Sequence, residues 1–381
     1  MSEAGASQVD DEKRVSWAEL FFDLVFVVAV TKVAALVASD HDWPGLLRAA
    51  VAFVPIYWTW VGAAIVTNLD DVSRPAMRLR VFGVALAGIF MALALNSAYG
   101  DRGLLFAAAY WAGRIVLGWR GVSRLRDGVP LNPYTVSILA TGPLLVLGAL
   151  LPGDWRTLVW AVAALLDLAS PSLLRRRLLG LHLDAGHLAE RFGLFVLIAL
   201  GESVVAIVAS VPDDVTVLDG VTVALAFAVS AGLWWVYFHF AADAVRHALA
   251  TAAVQLDIAR IVLSYGHLLF IGAVITVSVG LHEAVADPRH HLSWPATGLL
   301  YGGAALYLAT FGLTRWAMFR LVSITRLTAA AAVLAALPLV PHLPSIASVA
   351  LLALIIAALN AVELSRNDRI GWRTLLAHRA L

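Results

Sequence analysis

Five ionisable side chains lie inside segments of this chain that are otherwise almost entirely apolar. They are Asp23, Lys32, Arg114, Asp167 and Glu202. A charged side chain at the centre of a bilayer costs about 2.5–3.5 kcal/mol on insertion scales, so such residues usually pair with one another, face water or bind an ion. We therefore predict that these five form one closed polar network along the pathway of a solute or an ion.

The predicted network contains one more acid than it has bases. Its two cationic and three anionic side chains leave a formal negative charge that one proton or one cation would balance. This surplus indicates coupling to a proton or a cation. An acid that stays protonated would give the same composition, and so would buried ion pairs that only fix the register of the helices.

Glu19 lies close to Asp23 but has a simpler interpretation. Ser16 stands three residues before it, which is the spacing of a capping box at the start of a helix. We interpret Glu19 as part of this cap. Asp23 is one helical turn further in and needs a partner of its own.

A second group of residues has the types that bind metal ions. His239, Asp243 and His247 are spaced at i, i+4 and i+8, which stacks them on one helix face, and His267 follows on the next apolar segment. Two histidines and one aspartate form a reasonable ligand set for a metal, and an intramembrane enzyme acting on lipid would use it. The alternative is a solvated polar face at a helix end. No other cofactor is predicted.

The elements that position these residues are membrane helices. The 381 residues are 61% hydrophobic and only 14% charged, with a mean hydropathy of +0.84, which lies outside the range of soluble domains. Apolar runs of about 20 residues predict an all-α, polytopic membrane protein with about twelve transmembrane helices. Their approximate limits are 17–38, 45–66, 78–99, 103–120, 134–151, 155–173, 188–210, 218–240, 259–282, 295–316, 324–340 and 344–364.

The basic residues orient these spans. With the N-terminus inside, 21 of the 27 Lys and Arg residues, Arg191 among them, fall in inner segments and four fall in outer loops. The positive-inside rule therefore predicts that both termini are cytoplasmic. The polar first sixteen residues contain no basic n-region and no cleavage site, so we expect the N-terminal segment to be retained.

Several other classes of function find no support in the sequence. Cysteine is absent, which excludes disulfides, thiolate ligands and a Cys nucleophile. The net charge is +1, and no stretch combines basic and aromatic residues as nucleic-acid surfaces do. The H-E-x-x-H, G-x-S-x-G and P-loop motifs do not occur. The predicted partners are the lipid bilayer and a small solute or ion, with no nucleic acid.

The chain contains an internal repeat. AELFFDLVFVVAVTKVAALVAS at 18–39 and AERFGLFVLIALGESVVAIVAS at 189–210 are identical at nine of 22 positions. Two six-helix halves of the same orientation, related by an axis along the membrane normal, explain this match. The predicted organisation is a cytoplasmic N-terminal tail at 1–16, a first half at 17–173, a basic cytoplasmic linker at 174–187, a second half at 188–364 and a cytoplasmic C-terminal tail at 365–381.

The repeat also suggests a partner for Lys32. Thr31 and Lys32 align with Glu202 and Ser203, so Lys32 and Glu202 are expected at nearly the same depth on related helices. Their charges are opposite. We predict an ion pair, or a proton-linked pair, between them near the axis of the two halves.

Four segments of the sequence resemble the bacterial low-temperature-requirement A family of integral membrane proteins. They are WAELFFDLVFV at 17–27, HLAERFGLFVLIALGES at 187–203, WWVYFHFA at 234–241 and YGHLLF at 265–270. The resemblance implies a multi-pass protein of the bacterial cytoplasmic (inner) membrane. It implies no molecular activity, because the family is named for a cold-growth phenotype, and no catalytic or ligand set comes with it.

The residues themselves favour secondary transport of a small solute or ion, with proton coupling through the surplus carboxylate. An intramembrane metal-dependent enzyme built on His239, Asp243 and His247 is the first alternative. The second is a structural stress-adaptation membrane protein in which the buried charges only fix helix register. Of the three, transport and the structural role require no catalysis.

Overall fold

The computed structural model describes residues 13–40, 42–123, 131–239 and 241–369. Within these ranges the chain is all-helical, apart from one isolated β-bridge between His291 and Pro344. We label the helices in chain order as α1 Trp17–Ser39, α2 Trp43–Leu69, α3 Pro75–Leu95, α4 Gly103–Ser123, α5 Pro133–Ala149, α6 Asp154–Leu173, α7 Ala185–Ala209, α8 Val217–Phe238, α9 Ala242–Thr251, α10 Gln255–Ala286, α11 Trp294–Phe319, α12 Ile324–Ala336 and α13 Ser345–Arg369. Single turns at Arg175–Leu178 and Val340–His342 complete the pattern.

Local side chains account for where several helices begin. The predicted capping box of Ser16 and Glu19 is confirmed at the start of α1, with both of its hydrogen bonds formed. Asp42 caps α2 by accepting from a backbone N–H at 2.7 Å. Thr216 and Asp219 form a second capping box at the start of α8. These contacts satisfy backbone donors that a helix leaves open in its first turn.

Nine helical segments of the described residues are long and apolar enough to cross a membrane. Each of the twelve predicted spans falls on a helix to within a few residues, but α4, α5 and α12 do not meet that criterion. Arginines lower the hydropathy of α4, and α12 has only 13 residues, or about 20 Å at 1.5 Å per residue. The protein is thus a membrane protein with multiple spanning helices.

The helices form two groups with the same pattern of neighbours. In the first group α3 packs on α1 and α4, α5 on α4 and α6, and α2 on α1 and α6. In the second group α10 packs on α7 and α11, α12 on α11 and α13, and α8 on α7 and α13. Helices α1 and α2 contact α7 and α10, so these four helices form the boundary between the groups.

Three helices contain a wide π-helical stretch. These stretches are Ser137–Thr141 in α5, Ala259–Gly266 in α10 and Gly298–Gly302 in α11. A π-helical turn interrupts the regular pattern of α-helical hydrogen bonds, so backbone carbonyls there can accept from other groups. Ser264 lies in the π-helical stretch of α10, and its carbonyl oxygen accepts from the hydroxyl of Tyr57 in α2 at 2.7 Å. Such turns occur frequently at functional sites.

Candidate functional site

Helices α1 and α7 run parallel and in contact. Glu19 binds His187 at a sequence separation of 168, and Thr31 binds Glu202 at a separation of 171. A nearly constant separation along two helices means that they run in the same direction, because antiparallel partners would instead keep a constant sum of residue numbers. The two helices therefore bring together residues from equal depth.

A cluster of buried charges lies where the two helices begin. We call it the α1–α7 cluster, and its members are Glu19, Asp23, His187 and Arg191. Arg191 bridges both acids, with Nη1 2.8 Å from Glu19 Oε1 and Nη2 2.7 Å from Asp23 Oδ1. Asp23 is 3% exposed and the other three side chains are 0% exposed. Charges buried to this degree have to be balanced by their neighbours.

Aromatic side chains enclose the guanidinium group of Arg191. Its central carbon lies 5.8 Å from the ring centroid of Phe22 and 5.6 Å from that of Trp60, within the range of cation–π attraction. Trp60 Nε1 also donates to Asp23 Oδ1 at 2.8 Å. The ring of Trp60 stacks on Phe195 at 4.2 Å, so packing in the core holds the indole in place.

Hydrogen bonds identify His187 as neutral. Asn68 Oδ1 accepts from Asp184 N at 3.0 Å, which makes Nδ2 the donor end of the amide. Nδ2 lies 3.0 Å from His187 Nδ1, so Nδ1 accepts and carries no proton. The proton is on Nε2, which donates to Glu19 Oε1 at 3.0 Å. Two carboxylates and one guanidinium then give the cluster a formal charge of −1.

The two acids of the cluster differ in how well their oxygens are satisfied. Glu19 Oε2 accepts from Ser16 N at 2.9 Å and from Ser16 Oγ at 2.8 Å. Its other oxygen contacts His187 and Arg191. Asp23 Oδ1 accepts two hydrogen bonds, whereas Asp23 Oδ2 is buried without a hydrogen-bond partner in the described part of the chain. It is the only carboxylate oxygen of the cluster that no donor of the described residues contacts.

A second buried group joins Arg114 and Asp167. We call it the α4–α6 cluster, and it consists of Tyr110, Arg114, Ser137, Thr141 and Asp167. Asp167 Oδ1 accepts from Ser137 at 2.7 Å and from Thr141 at 3.0 Å, and its Oδ2 accepts from the Tyr110 hydroxyl. Arg114 Nη2 donates to Ser137 Oγ at 2.8 Å. The π-helical turn of α5 thus supplies the hydroxyl that links the two charges.

A cavity of about 250 Å³ lies beside the α4–α6 cluster. Its walls come from α2, α4 and α5 on one side and from α10 on the other, so it lies between the two groups of helices. Its charged lining residues are Arg114 and Arg260. Arg114 Nε has no hydrogen-bond partner among the residues that the structure describes. A mostly apolar cavity with a few converging polar groups is typical of a small-ligand site.

The predicted ion pair between Lys32 and Glu202 does not form in the described structure. Glu202 is buried, and its Oε2 accepts from the Thr31 hydroxyl. Lys32 is one residue further along α1, which turns its side chain by about 100° around the helix. It is half-buried, with no hydrogen bond or ion pair to any described residue. The repeat therefore gave the right depth but the wrong face of the helix.

The five residues of the predicted closed network lie in separate places. Asp23 belongs to the α1–α7 cluster, Arg114 and Asp167 belong to the α4–α6 cluster, and Glu202 and Lys32 lie further along α7 and α1. Each acid has donors of its own nearby, which are Trp60 and Arg191 for Asp23 and hydroxyl groups for Asp167 and Glu202. The distant charges therefore do not need to meet.

Two members of the α1–α7 cluster were not predicted from the sequence. Arg191 was expected in an inner segment but is fully buried in α7, and His187 was not considered as a partner of the acids. The available signal was spacing, because Glu19 and Asp23 are four residues apart and so are His187 and Arg191. Such pairs lie on one helix face.

The predicted metal ligands do not share a helix face. Helix α8 ends before His239, and α9 begins at Ala242, so a break interrupts the expected spacing. His239 stacks on Trp235 at 4.9 Å, whereas Asp243 and His247 are exposed. Within the described ranges no group of three His, Cys, Asp or Glu residues is arranged to hold a metal ion.

His267 is buried and engaged elsewhere. Its Nδ1 lies 2.9 Å from Val262 O, which can only accept, so Nδ1 carries the proton. Its Nε2 lies 2.6 Å from the Tyr237 hydroxyl. The ring packs edge-on against Phe192 and Phe270. These contacts make His267 a member of an aromatic core.

Comparisons with known proteins place the chain among bacterial membrane proteins without giving an activity. The family described as bacterial low temperature requirement A protein (LtrA) matches residues 14–361. A curated protein of Rhizobium meliloti (strain 1021), named as uncharacterized, is 30% identical over 314 residues, which cover 78% of this chain and 76% of that protein. No solved structure matches the chain.

Proposed function

Because the chain belongs to the bacterial low temperature requirement A family, whose name describes a growth requirement and no reaction, we propose a function from its buried charges. The proposal is secondary transport of a small solute or ion, coupled to a proton at Asp23. The observation that carries it is the α1–α7 cluster, in which two acids share one arginine and one buried carboxylate oxygen has no described hydrogen-bond partner.

The proton coupling follows from charge and hydrogen bonding. The cluster has a formal charge of −1 while His187 is neutral, and a proton on Asp23 Oδ2 would bring it to zero. Glu19 stays ionised because four donors surround its two oxygens. Cycles in which one intramembrane acid gains and loses a proton are a common basis of coupled transport. Asp23 is therefore the proton carrier in this proposal.

The arrangement of the helices supports a transporter plan. The same neighbour pattern in both groups, and the parallel course of α1 and α7, are what two like-oriented six-helix halves would produce. In this plan α9 lies along the membrane surface, and the remaining twelve helices cross it. The 21 basic residues of the inner segments favour cytoplasmic termini in the bacterial inner membrane.

The cavity between the two groups is the proposed site of the solute. It lies against the α4–α6 cluster, where Arg114 presents an Nε–H without a described partner. The α10 segment that lines it includes Ala259, Arg260 and Ser264 of a π-helical stretch. Lys32 and Glu202, further along α1 and α7, would belong to the same pathway through the boundary of the halves.

The test is a transport assay in proteoliposomes that contain a pH-sensitive dye. A panel of carboxylates, amino acids and sugars is added outside under an imposed membrane potential, and the internal pH is recorded. We expect at least one solute to drive acidification in the wild type, and Asp23→Asn to abolish it. Glu190→Gln is the matched control, because Glu190 is the residue before Arg191 in α7 but is exposed. It should leave the flux unchanged.

The alternative outcome is equally informative. Buried ion pairs also serve to fix helix register, and the extensive hydrogen bonding of Glu19 is compatible with that role. If the wild type moves no proton with any solute of the panel while it is folded and correctly inserted, the transport proposal fails. A structural role for the α1–α7 cluster would then be the better interpretation.

A further inference from the structure

A second cavity, of about 510 Å³, lies inside the second group of helices. We call it the α11–α13 cavity. Residues of α8 to α13 line it, and its inner wall is formed by the aromatic side chains of Tyr237, Phe270 and Phe311. The rings of Phe270 and Phe311 lie 4.5 Å apart. The inner wall therefore presents a rigid apolar surface of a size suited to a small-molecule ligand.

The mouth of this cavity is basic. Its charged lining residues are Arg315, Arg326, Arg366 and one acid, Glu363. Arg315 lies near the end of α11, Arg326 near the start of α12, and Arg366 in the last turns of α13. Three helix ends thus place three guanidinium groups around one opening at the same end of the bundle.

The single acid is already occupied within the protein. Arg326 Nε and Nη2 bind the two oxygens of Glu363 at 2.9 and 3.0 Å, and the Thr325 hydroxyl donates to Glu363 at 2.8 Å. Arg326 also lies 4.4 Å from the ring centroid of Phe311, so it connects the mouth to the aromatic wall. This pair cancels its own charge and leaves a net charge of +2 at the mouth.

Arg315 and Arg366 supply that remaining charge. Both are exposed, and neither forms an ion pair with a carboxylate of the described residues. Arginine is the residue best suited to bind phosphate or carboxylate groups, because its planar fork donates two parallel hydrogen bonds. Basic pockets between membrane helices bind anionic head groups for the same reason.

We propose that the α11–α13 cavity binds an amphiphilic anion, with a phosphate or carboxylate head at Arg315 and Arg366 and an apolar chain against Phe270 and Phe311. A membrane lipid and a free amphiphile of the same chemistry would both fit this description. The proposal does not depend on transport, because the cavity lies inside the second group of helices and not at the boundary with the first.

The chain offers a matched control for the two arginines. Arg320 ends α11 with a left-handed backbone (φ 56°), which is uncommon for a residue other than glycine. Its guanidinium carbon lies 4.3 Å from the ring centroid of Trp316, and it does not line the cavity. It has the same charge as Arg315 and Arg366 and lies close to Arg315 in the chain.

The first experiment uses the wild type alone. Full-length protein in a neutral detergent is titrated with dodecyl phosphate, dodecanol and inorganic phosphate, and binding is followed by intrinsic tryptophan fluorescence. We expect dodecyl phosphate to bind at least about tenfold more tightly than either of the others, since it alone has both head and chain. Equal binding of dodecanol would overturn the role of the arginines, and equal binding of inorganic phosphate would overturn the role of the apolar wall.

The second experiment tests the residues and the source of the ligand. The double variant Arg315→Gln/Arg366→Gln should bind dodecyl phosphate about tenfold or more weakly, because it loses two charge-assisted contacts, while Arg320→Gln should bind like the wild type. Native mass spectrometry then shows whether phosphatidylglycerol from nanodiscs stays bound, which supports a lipid, or only dodecyl phosphate does, which supports a free amphiphile. Wild-type affinity in the folded double variant would refute the site.

Discussion

Replacing Arg191 by glutamine should destabilise the protein far more than replacing either of its acidic partners. Arg191 is fully buried and donates to Glu19 at 2.8 Å and to Asp23 at 2.7 Å. In Arg191→Gln both carboxylates lose their only cation in the cluster and come to share a formal charge of −2. In Asp23→Asn the arginine stays paired with Glu19, and the formal charge of the cluster becomes zero.

The size of the effect follows from these contacts. Hydrogen bonds to charged groups contribute about 1.5–3 kcal/mol each, so the loss of two of them amounts to about 3–6 kcal/mol. This agrees with the cost of about 3–5 kcal/mol for removing one partner of a buried ion pair. We expect Arg191→Gln to lower the free energy of unfolding by about 3–5 kcal/mol. For Asp23→Asn we expect about 1 kcal/mol, because the amide oxygen can still accept the hydrogen bonds from Trp60 and Arg191 and loses only the assistance of its charge.

The triple variant Glu19→Gln/Asp23→Asn/Arg191→Gln provides the decisive comparison. It removes every formal charge of the cluster while it keeps polar side chains of similar size. Neutral replacements of buried ion pairs are often tolerated, and residues in direct contact couple strongly in such cycles. The triple variant should therefore be more stable than Arg191→Gln alone, although it contains two more substitutions.

Unfolding in mixed micelles measures these differences. Increasing fractions of sodium dodecyl sulfate unfold the protein, and circular dichroism at 222 nm together with tryptophan fluorescence reports the loss of native structure. Coincident transitions of the two probes are required before free energies are compared. A triple variant that loses at least the sum of the single losses would refute the charge argument, because it would show that the residues act independently.

Two further substitutions test other parts of the structure by thermal unfolding. Gly280→Ala should lower the free energy of unfolding by about 1–3 kcal/mol, because the added Cβ would lie 2.8 Å from the backbone of Leu300. Gly201→Ala is its control and should be neutral or slightly stabilising, because the space around Gly201 is open. Ser137→Ala removes the hydroxyl that links the charges of the α4–α6 cluster and should cost about 1–3 kcal/mol. Ser365→Ala, at an exposed position, is its control, and equal stability of these two variants would contradict the linking role.

The helices were predictable because a membrane constrains them strongly. A chain that crosses hydrocarbon must satisfy its backbone internally, so apolar runs of sufficient length become helices. That is why α7 and α8 begin within a few residues of their predicted starts. The α9 helix was not predicted, since an amphipathic helix of 10 residues gives no long apolar run. The two cavities were equally unpredictable, because their volumes depend on how several helices pack together.

The acidic residues of the site were predictable one by one, but their partners were not. Asp23 and Asp167 stand out because an acid in an apolar helix needs a partner, contact with water or a bound ion. Their donors include Trp60, Tyr110 and Ser137, which are unremarkable residues of membrane helices. Only the fold reveals that these particular side chains face the acids. The prediction for Lys32 failed for the same reason. Its depth matches that of Glu202, but the residue that faces Glu202 is the preceding one, Thr31.

The α1–α7 cluster joins two helices that the repeat relates, but the alignment of the repeat does not pair the residues that are in contact. An alignment that counts identities sets residue i against i+171, and this pairs Glu19 with Glu190. Glu19 instead contacts His187 at i+168 and Arg191 at i+172, and Asp23 contacts Arg191 at i+168. These partners lie up to about one helical turn away from the aligned residues. An alignment scored by identities matches residues of the same type, whereas two parallel helices in contact are stabilised by residues of complementary charge. In a duplicated membrane protein, the helices related by the repeat are therefore better searched for opposite charges at a shift of about one turn than for matching letters.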